Sequence, residues 1–118
     1  MKLIIAIVQP QKLEPIKSAL SAVDVFRLTI VDCQGFGRHN PKSDAGSPTE
    51  SVDPFAQMHR KVQLQIAVNE PFVEPTIEAI VNAGRTGEAG EPGDGKIFVL
   101  PLDECVRIRT GERGPEAI

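Results

Sequence analysis

The 118-residue chain has no tryptophan and no tyrosine, and five phenylalanines are its only large aromatic residues. Platforms that stack nucleic-acid bases depend on exposed aromatic side chains. The formal net charge of -3 also gives no general attraction to phosphate backbones or to anionic membranes. We therefore expect no nucleic-acid partner for this chain.

Long apolar runs and cysteine clusters are also lacking. No segment approaches the roughly 18 consecutive apolar residues that a membrane-spanning helix needs, so we expect no direct membrane insertion. The opening MKLIIAIVQP lacks the small-residue cleavage site of a secretory signal. Cys33 and Cys105 form neither a metal-ligand spacing nor a disulfide framework. These features indicate a cytoplasmic protein with reduced thiols.

The apolar pattern predicts two β-α-β halves joined by a long polar segment. Continuous apolar residues indicate a strand buried on both faces, strict alternation a half-buried strand, and spacings of three and four a helix. The predicted elements are a strand over 3–8, a helix over 13–23, a strand over 25–33, a strand over 61–68, a helix from Pro71 with its C-cap at Gly84, and a strand over 96–100. The residues between 35 and 60 show no periodicity, and so long a connection is usually functional.

The two predicted helices resemble each other in sequence. LEPIKSAL (13–20) and VEPTIEAI (73–80) share the pattern apolar-Glu-Pro-x-x-x-Ala-apolar; chance is the alternative, because Pro and Glu are common in any first helical turn. Two such halves predict an α+β fold, a ferredoxin-like βαββαβ sandwich, with residues 1–118 as a single domain. Two helices cover one face of a four-stranded sheet, yet the first strand is apolar on both sides. We expect self-association to cover the second face.

A glycine-rich segment near the second helix looks like a phosphate-binding loop. GEPGDGK, Gly90 to Lys96, satisfies G-x-x-x-x-G-K, but Ile97 stands where a P-loop needs Ser or Thr. The predicted order here is helix, loop, strand, which is the reverse of a P-loop. What remains is a loop whose backbone N–H groups could form an anion nest, with Lys96 adding positive charge. The alternative is an ordinary loop with glycines at its turns.

Two arginines near the end of the chain are a second candidate anion site. If the segment around Arg107 and Arg109 is extended, residues two apart share a face, so both guanidinium groups point the same way beside Cys105. Aligned guanidinium groups suit polyphosphate or carboxylate ligands. The alternative is a solvated edge strand protected by its charges.

The segment GFGRHN, Gly35 to Asn40, adds a third candidate contact, Arg38, directly after the predicted second strand. His39, His59 and Cys33 are soft ligand types, but their spacing matches no standard metal site, and the identity of any metal stays unknown. No nucleophile–base arrangement or carboxylate pair specifies catalysis, so we do not expect an enzyme.

Taken together, GFGR after the second strand, GDGKIFV around the loop and RIRTGE near the end resemble the PII signal-transduction family (GlnB/GlnK type). The resemblance runs through nearly the whole chain and is strongest from Gly93 to Glu112. It implies a homotrimer of ferredoxin-like subunits with ATP or ADP bound in clefts between them. It also implies a T-loop over about residues 37–60 that contacts a target protein, a B-loop over about 84–95 and a C-terminal segment over 102–118.

The resemblance further implies which residues contact the nucleotide. Carried over by motif, they are Thr29, Gly35, Gly37, Arg38, Thr86, Gly87, Gly93, Asp94, Gly95, Lys96, Arg107 and Arg109. The family's effector site for 2-oxoglutarate uses a Gln after GFGR to coordinate Mg²⁺ and a Lys at the start of the third strand. Here His39 stands for the Gln, and Lys61 matches the Lys. Since Mg²⁺ prefers oxygen ligands, the histidine argues against 2-oxoglutarate, while Mg²⁺ could still accompany the nucleotide.

Three further departures from the family pattern bear on function. The family's T-loop tyrosine, which is uridylylated in many bacteria, has no counterpart, so that modification is excluded. Gln65 replaces the Glu that pairs with the B-loop lysine, and the B-loop is about three residues longer in its EPG region. We expect a PII-type regulator of nitrogen or carbon metabolism that binds ATP or ADP. The alternative is a divergent regulator of a membrane transporter or carbon-uptake system that senses ADP or AMP and does not use 2-oxoglutarate.

Overall fold

Two β-α-β halves build a single antiparallel sheet. The computed structural model describes residues 1–37 and 57–118. Its elements are β1 (Lys2–Val8), α1 (Leu13–Ala22), β2 (Thr29–Phe36), β3 (Met58–Val68), α2 (Val73–Gly84) and β4 (Gly95–Pro101), with short 3-10 turns at Pro10–Lys12, Glu70–Phe72 and Gly114–Ala117. The strands pair antiparallel in the order β2-β3-β1-β4. The predicted ferredoxin-like α+β fold is confirmed.

The core lies between the sheet and the helices. In antiparallel pairing, residues directly opposite each other point to the same face, and β1 pairs Ile4 with Ile66 and Ala6 with Leu64. These side chains are buried against Ile16 and other residues of the two helices. The buried core comprises Ile4, Ala6, Val8, Ile16, Leu20, Val25, Val62, Leu64, Ile66, Val68, Ala79 and Ile80. Strict alternation in β3 predicted this arrangement correctly.

The second strand begins four residues later than its sequence predicts. After α1 the chain reverses at Asp24, which has a positive φ of 64°. The Val25 N–H donates to the Leu20 carbonyl (2.9 Å) and the Asp24 N–H to that of Ser21 (3.0 Å). This is the Schellman pattern of helix termination, in which the residue after the αL position packs back on the helix. Val25 is therefore a buried helix-end contact, and the prediction of a strand over 25–33 is wrong at both ends.

The second helix ends differently from its prediction, although its position is right. Gly84 is its last helical residue, and the cap position falls to Arg85, which is extended. A Cβ on Gly84 would lie 3.3 Å from Ile16 Cδ1, so the glycine allows the two helices to approach closely. On the face of α2 that packs on the sheet, the Thr76 side chain is fully buried. Helical spacing also assigns Val81 to this face, but Val81 is exposed.

The sheet face opposite the helices is apolar and partly open, and we call it the open face. Leu3, Ile5 and Ile7 of β1 point to it and are half-buried. Beside them on β4, Phe98 and Leu100 are 48% and 40% exposed. An apolar surface of this kind is what the expected self-association would cover, and the trimer stays a prediction.

The C-terminal segment does not continue as an extended strand. Val106 forms an isolated bridge with Arg113, and the chain turns over residues 108–110. The Gly111 N–H donates to the Arg107 carbonyl (2.7 Å) and the Arg107 N–H to that of Glu112 (2.9 Å). The expectation that Arg107 and Arg109 share one face of an extended segment is therefore wrong. Within residues 1–37 and 57–118, no helix is long and apolar enough to cross a membrane.

Candidate functional site

The strand pairing places four of the implied contact residues on the open face. Thr29 lies opposite Gln65, Gly35 opposite His59 and Cys33 opposite Lys61. On β4, Lys96 pairs with Ile7 of β1, and Ile7 pairs in turn with Gln63 of β3. Because directly paired residues share a face, Thr29, Gly35, Lys61 and Lys96 all belong to the open face. Gly35 lies inside β2, whose pairing extends to Phe36, rather than after it.

Arg38 and His39 lie outside the described residues, as does most of the implied T-loop, residues 38–56. Gly37 follows β2 directly. The sequence assigned Met58–Arg60 to the end of the T-loop, but these three residues are the first of β3 and pair with β2. Strand β3 therefore begins three residues earlier than the alternating pattern predicts. The motif VQLQIAV marks only the part of the strand that packs on the core.

The part of the B-loop between α2 and β4, residues 85–94, is organised around Asp94. Its Oδ1 accepts hydrogen bonds from Thr86 Oγ1 (2.6 Å) and Gln9 Nε2 (3.0 Å). Its Oδ2 accepts from the backbone N–H groups of Thr86 (3.0 Å) and Glu91 (2.8 Å). One carboxylate thus joins the end of β1, the start of the loop and its middle.

Ionisation of Asp94 is favoured by these contacts. Burial by itself raises the pKa of the carboxyl group, but hydrogen bonds from the Thr86 backbone and hydroxyl and from the Glu91 backbone outweigh it, helped by the charge of Lys12. The net result is a pKa lowered from the ordinary value of 3.8. At neutral pH the group is an anion whose acceptor positions point into the loop.

The EPG region of the loop forms a tight turn. The Asp94 N–H donates to the Glu91 carbonyl (3.1 Å), with Pro92 and Gly93 between them and Gly93 at a φ of 95°. This is the sequence and geometry of a type II turn, which takes Pro and then Gly at its centre. Lys61 Nζ donates to the Gly93 carbonyl from β3, which is separated from β4 by β1. The EPG region that the sequence marks as extra is therefore an ordered turn held on two sides.

Gly95 is required where the loop enters β4. Its φ is 109°, and a Cβ there would lie 1.8 Å from the carbonyl oxygen of Ile7. By contrast, Gly87 has a φ of 65° and open space around it. The GDG motif thus combines Asp94, whose side chain accepts the hydrogen bonds of the loop, with Gly95, which allows the β4 backbone to approach the β1 backbone closely.

Gln65 does not replace the acidic partner of Lys96. Its Nε2 donates to Gln63 Oε1 (2.8 Å) on the same strand. Lys96 itself is exposed and opens toward solvent at the edge of the sheet. Its charge is available to an anionic ligand on the open face.

Arg107 lies at the opposite end of the sheet from the B-loop. Its guanidinium donates to Glu112 Oε1 (2.9 Å) and to the Glu116 carbonyl (3.1 Å). It lines a cavity of about 320 Å³ beside Val68 and Asn69. The B-loop instead meets the sheet where Gly95 pairs with Val8. The two ends of β1 are separated by six steps of about 3.3 Å, roughly 20 Å.

The structure therefore brings the implied contacts together as two groups. The first contains Gly35, Lys96 and the B-loop residues Thr86, Gly87, Gly93, Asp94 and Gly95. The second contains Arg107 and the exposed Arg109 at the far end, with Thr29 between the groups near mid-sheet. Among residues 1–37 and 57–118, no cluster of three His, Cys, Asp or Glu side chains could hold a metal ion.

Sequence reasoning missed two residues of this region, Gln9 and Glu112. Gln9 follows β1 directly and looks like any polar residue before a proline, so no local pattern links it to a loop 85 residues away. Glu112 lies five residues after Arg107, a spacing that suggests contact only when the turn between them is known.

Comparison with known proteins identifies the class of regulatory protein to which a chain with this fold belongs. The family model described as "Nitrogen regulatory protein P-II" matches residues 1–112. The chain is 42% identical to nitrogen regulatory protein GlnK1 of Methanosarcina mazei over 118 residues, covering 100% of this chain and 97% of the relative. It is also 42% identical to the nitrogen regulatory protein P-II of Azospirillum brasilense, covering both chains completely.

A solved structure supports the same assignment. The crystal structure of Arabidopsis thaliana PII bound to citrate matches with a TM-score of 0.75 and 34% sequence identity, covering 98% of this chain and 87% of that one. The chain belongs to the PII family of nitrogen regulatory signalling proteins.

Proposed function

We propose that this chain forms a cytoplasmic homotrimer that binds ATP or ADP between its subunits and controls a target protein through its T-loop. The observation that carries the proposal is the division of the site. The B-loop and Lys96 lie at one end of the sheet and Arg107 lies at the other, and β1 between them spans roughly 20 Å. This separation supports a site in which a nucleotide held by the B-loop of one chain takes its arginine contacts from a neighbouring chain.

The open face supports the same arrangement. Phe98 and Leu100 leave apolar area uncovered beside half-buried β1 side chains. If copies of the chain pack on this face, the B-loop end of one sheet approaches the arginine end of the next. A cleft then forms between the B-loop of one chain and the two arginines of its neighbour. Oligomers of one chain are usually closed and symmetric, so each copy would contribute to two sites.

The signalling step follows from differential affinity. A nucleotide that binds one arrangement of the chain more tightly shifts the population toward it, and a target protein that prefers that arrangement then binds better. No efficient phosphotransfer is needed for this role. The T-loop joins β2 to β3 next to Gly35 and Lys61, so it is anchored directly at the proposed ligand cleft.

Calorimetric titration with ATP, ADP and AMP tests the proposal. Binding by at least one adenylate is expected, and Arg109→Ala should weaken it because a charge-assisted contact to phosphate is lost. Arg113→Ala is the matched control, since Arg113 is exposed nearby and pairs with Glu104 (3.2 Å). Absence of binding by all three nucleotides at millimolar concentration would refute the proposal.

A second candidate is a regulator of a membrane transporter or carbon-uptake system that senses ADP or AMP without 2-oxoglutarate. The contact between Lys61 and the Gly93 carbonyl favours it, because the lysine implied to hold the effector is engaged by the lengthened loop. Repeating the titration with Mg²⁺ and 2-oxoglutarate separates the two. Enhanced ATP affinity would favour the nitrogen-sensing role, and unchanged affinity the second candidate.

A further inference from the structure

The B-loop lies over a cavity and not over packed side chains. A space of about 580 Å³ separates it from α2, with Ile80, Val81 and Gly84 on the helix side and Gly90 and Pro92 on the loop side. Close packing is what usually fixes the position of a segment in a folded protein. With this cavity beneath the loop, polar contacts gain importance for holding it in place.

Those polar contacts converge on Asp94. Its two oxygens accept four hydrogen bonds, from Gln9, from Glu91 and twice from Thr86. Gln9 in turn accepts a hydrogen bond from Gln11 Nε2, which orients the amide. The donors come from the residue that follows β1 and from two places in the B-loop, so the carboxylate fixes the loop relative to β1 as well as internally.

A carboxylate is a poor partner for a phosphate, because two anions at contact distance repel each other. The charge of Asp94 is instead directed toward donors of its own chain, and the loop backbone around those donors then stays in a fixed position. Other backbone N–H groups of the loop are thereby held in advance and can bind an anion without a further ordering cost. The residue that a motif comparison marks as a nucleotide contact therefore has the surroundings of an organiser.

We propose that Asp94 is a positioning residue of the B-loop, acting with Gln9 and Thr86, and that its carboxylate does not itself contact the nucleotide. This rests on the proposed nucleotide site and names the groups that give its loop a fixed shape. Gln9 becomes a functional residue although the family resemblance implies no nucleotide contact for it.

The first test measures amide hydrogen exchange of the loop in the full-length, ligand-free protein, together with ADP and ATP affinity. Asp94→Asn should speed exchange at Thr86 and Glu91 and lower affinity about tenfold, because the amide cannot accept from all the donors. Glu88→Gln is the control, since it removes the same charge from an exposed position in the same loop. Thr86→Val should act like a weaker Asp94→Asn, and Thr86→Ser should restore the wild-type values.

The second test uses a pH profile that a general loss of structure would not produce. Gln9→Glu places a second carboxylate where Gln9 Nε2 lies 3.0 Å from Asp94. Two close carboxylates raise the pKa of one of them, and a shared proton restores the contact. The ratio of wild-type to Gln9→Glu affinity should therefore be large above neutral pH and fall toward one on mild acidification. Gln9→Leu should give a ratio that does not change with pH.

The outcomes separate the two proposals. Unchanged loop exchange in Asp94→Asn would overturn the positioning role, and so would faster exchange with unchanged nucleotide affinity. A flat pH ratio for Gln9→Glu would also contradict it. If the wild-type protein binds no adenylate, the proposed function fails on its own, while the exchange data still decide whether Asp94 orders the loop.

Discussion

At the scale of single residues, the described part of the chain contains one buried side-chain hydroxyl without a hydrogen-bond partner. Thr76 is fully buried, and its Oγ1 has no hydrogen-bond partner. An unpaired buried polar group is destabilising by about 1–3 kcal/mol. The helical spacing of α2 predicted apolar residues on this face, and Thr76 is the exception to that pattern.

We expect Thr76→Val to stabilise the protein by about 1 kcal/mol, because it keeps the shape of the side chain and removes the unpaired hydroxyl. Chemical unfolding at one fixed protein concentration measures the change. Thr76→Ser is the control, since it keeps the hydroxyl but loses a buried methyl group, and it should be destabilising. A destabilised Thr76→Val would mean that the hydroxyl has a partner in solution.

The glycines of the B-loop differ sharply in how strictly they are required. We expect Gly95→Ala to destabilise the protein by at least about 3 kcal/mol, because its Cβ would overlap the Ile7 carbonyl and its φ is unfavourable for alanine. Gly87→Ala, with a positive φ but open space, should lose only about 1–2 kcal/mol. Thermal unfolding of the two variants compares them, and equal losses would contradict the close approach of β4 to β1.

At the scale of elements, the Asp94 contacts make B-loop stability depend on pH. The folded-state pKa of Asp94 is lowered from 3.8, so its contribution is fully present above that value and is lost as pH falls through the lower folded value. Unfolding free energies of wild type and Asp94→Asn, measured from neutral pH to well below 3.8, should differ by a constant amount at first. The difference should then shrink at the acidic end. A difference that persists there would contradict the assignment of the lowered pKa.

Periodicity was a good guide to elements that pack on the core and a poor one where the chain changes direction. Alternation in β3 and the helical spacing of α1 and α2 reflect burial on one face, which any sequence of this kind must encode. Val25 misled the strand prediction because its apolar side chain packs back on the helix end, a contact that often accompanies a Schellman motif. Arg107 and Arg109 were placed on one face because a turn at 108–110 leaves no glycine or proline signal at those positions.

The sequence predicted which residue types form the site, but it did not predict which of them bind the ligand and which position the loop. Glycines, Lys96 and the arginines were identifiable because their chemistry suits an anion. The use of Asp94 as an organiser could not be predicted, since it depends on Gln9, a residue distant in sequence. Spatial separation of the B-loop from Arg107 likewise depends on strand order, which the sequence does not state.

At the scale of the whole molecule, the open face should be the surface that holds copies of the chain together. Phe98 is 48% exposed in a single chain, and Phe98→Asp would place a charge in the proposed interface. We expect sedimentation velocity to show loss of the trimer in this variant. Val81→Asp, a substitution at a partly exposed apolar residue on the helix side, is the control and should stay trimeric. A trimer that survives Phe98→Asp would place the interface elsewhere.

The most direct test of a site shared between chains is complementation of two binding-deficient variants. Lys96→Ala removes a charge from the B-loop group and Arg109→Ala removes one from the far group. When the two are unfolded and refolded together, every mixed trimer has one interface that joins an intact B-loop group to an intact arginine group. A site between chains predicts that wild-type nucleotide affinity returns at about one third of the sites in each mixed trimer. Titration that finds no tight sites in the mixture would show that each site is built within one chain and would contradict the proposed function.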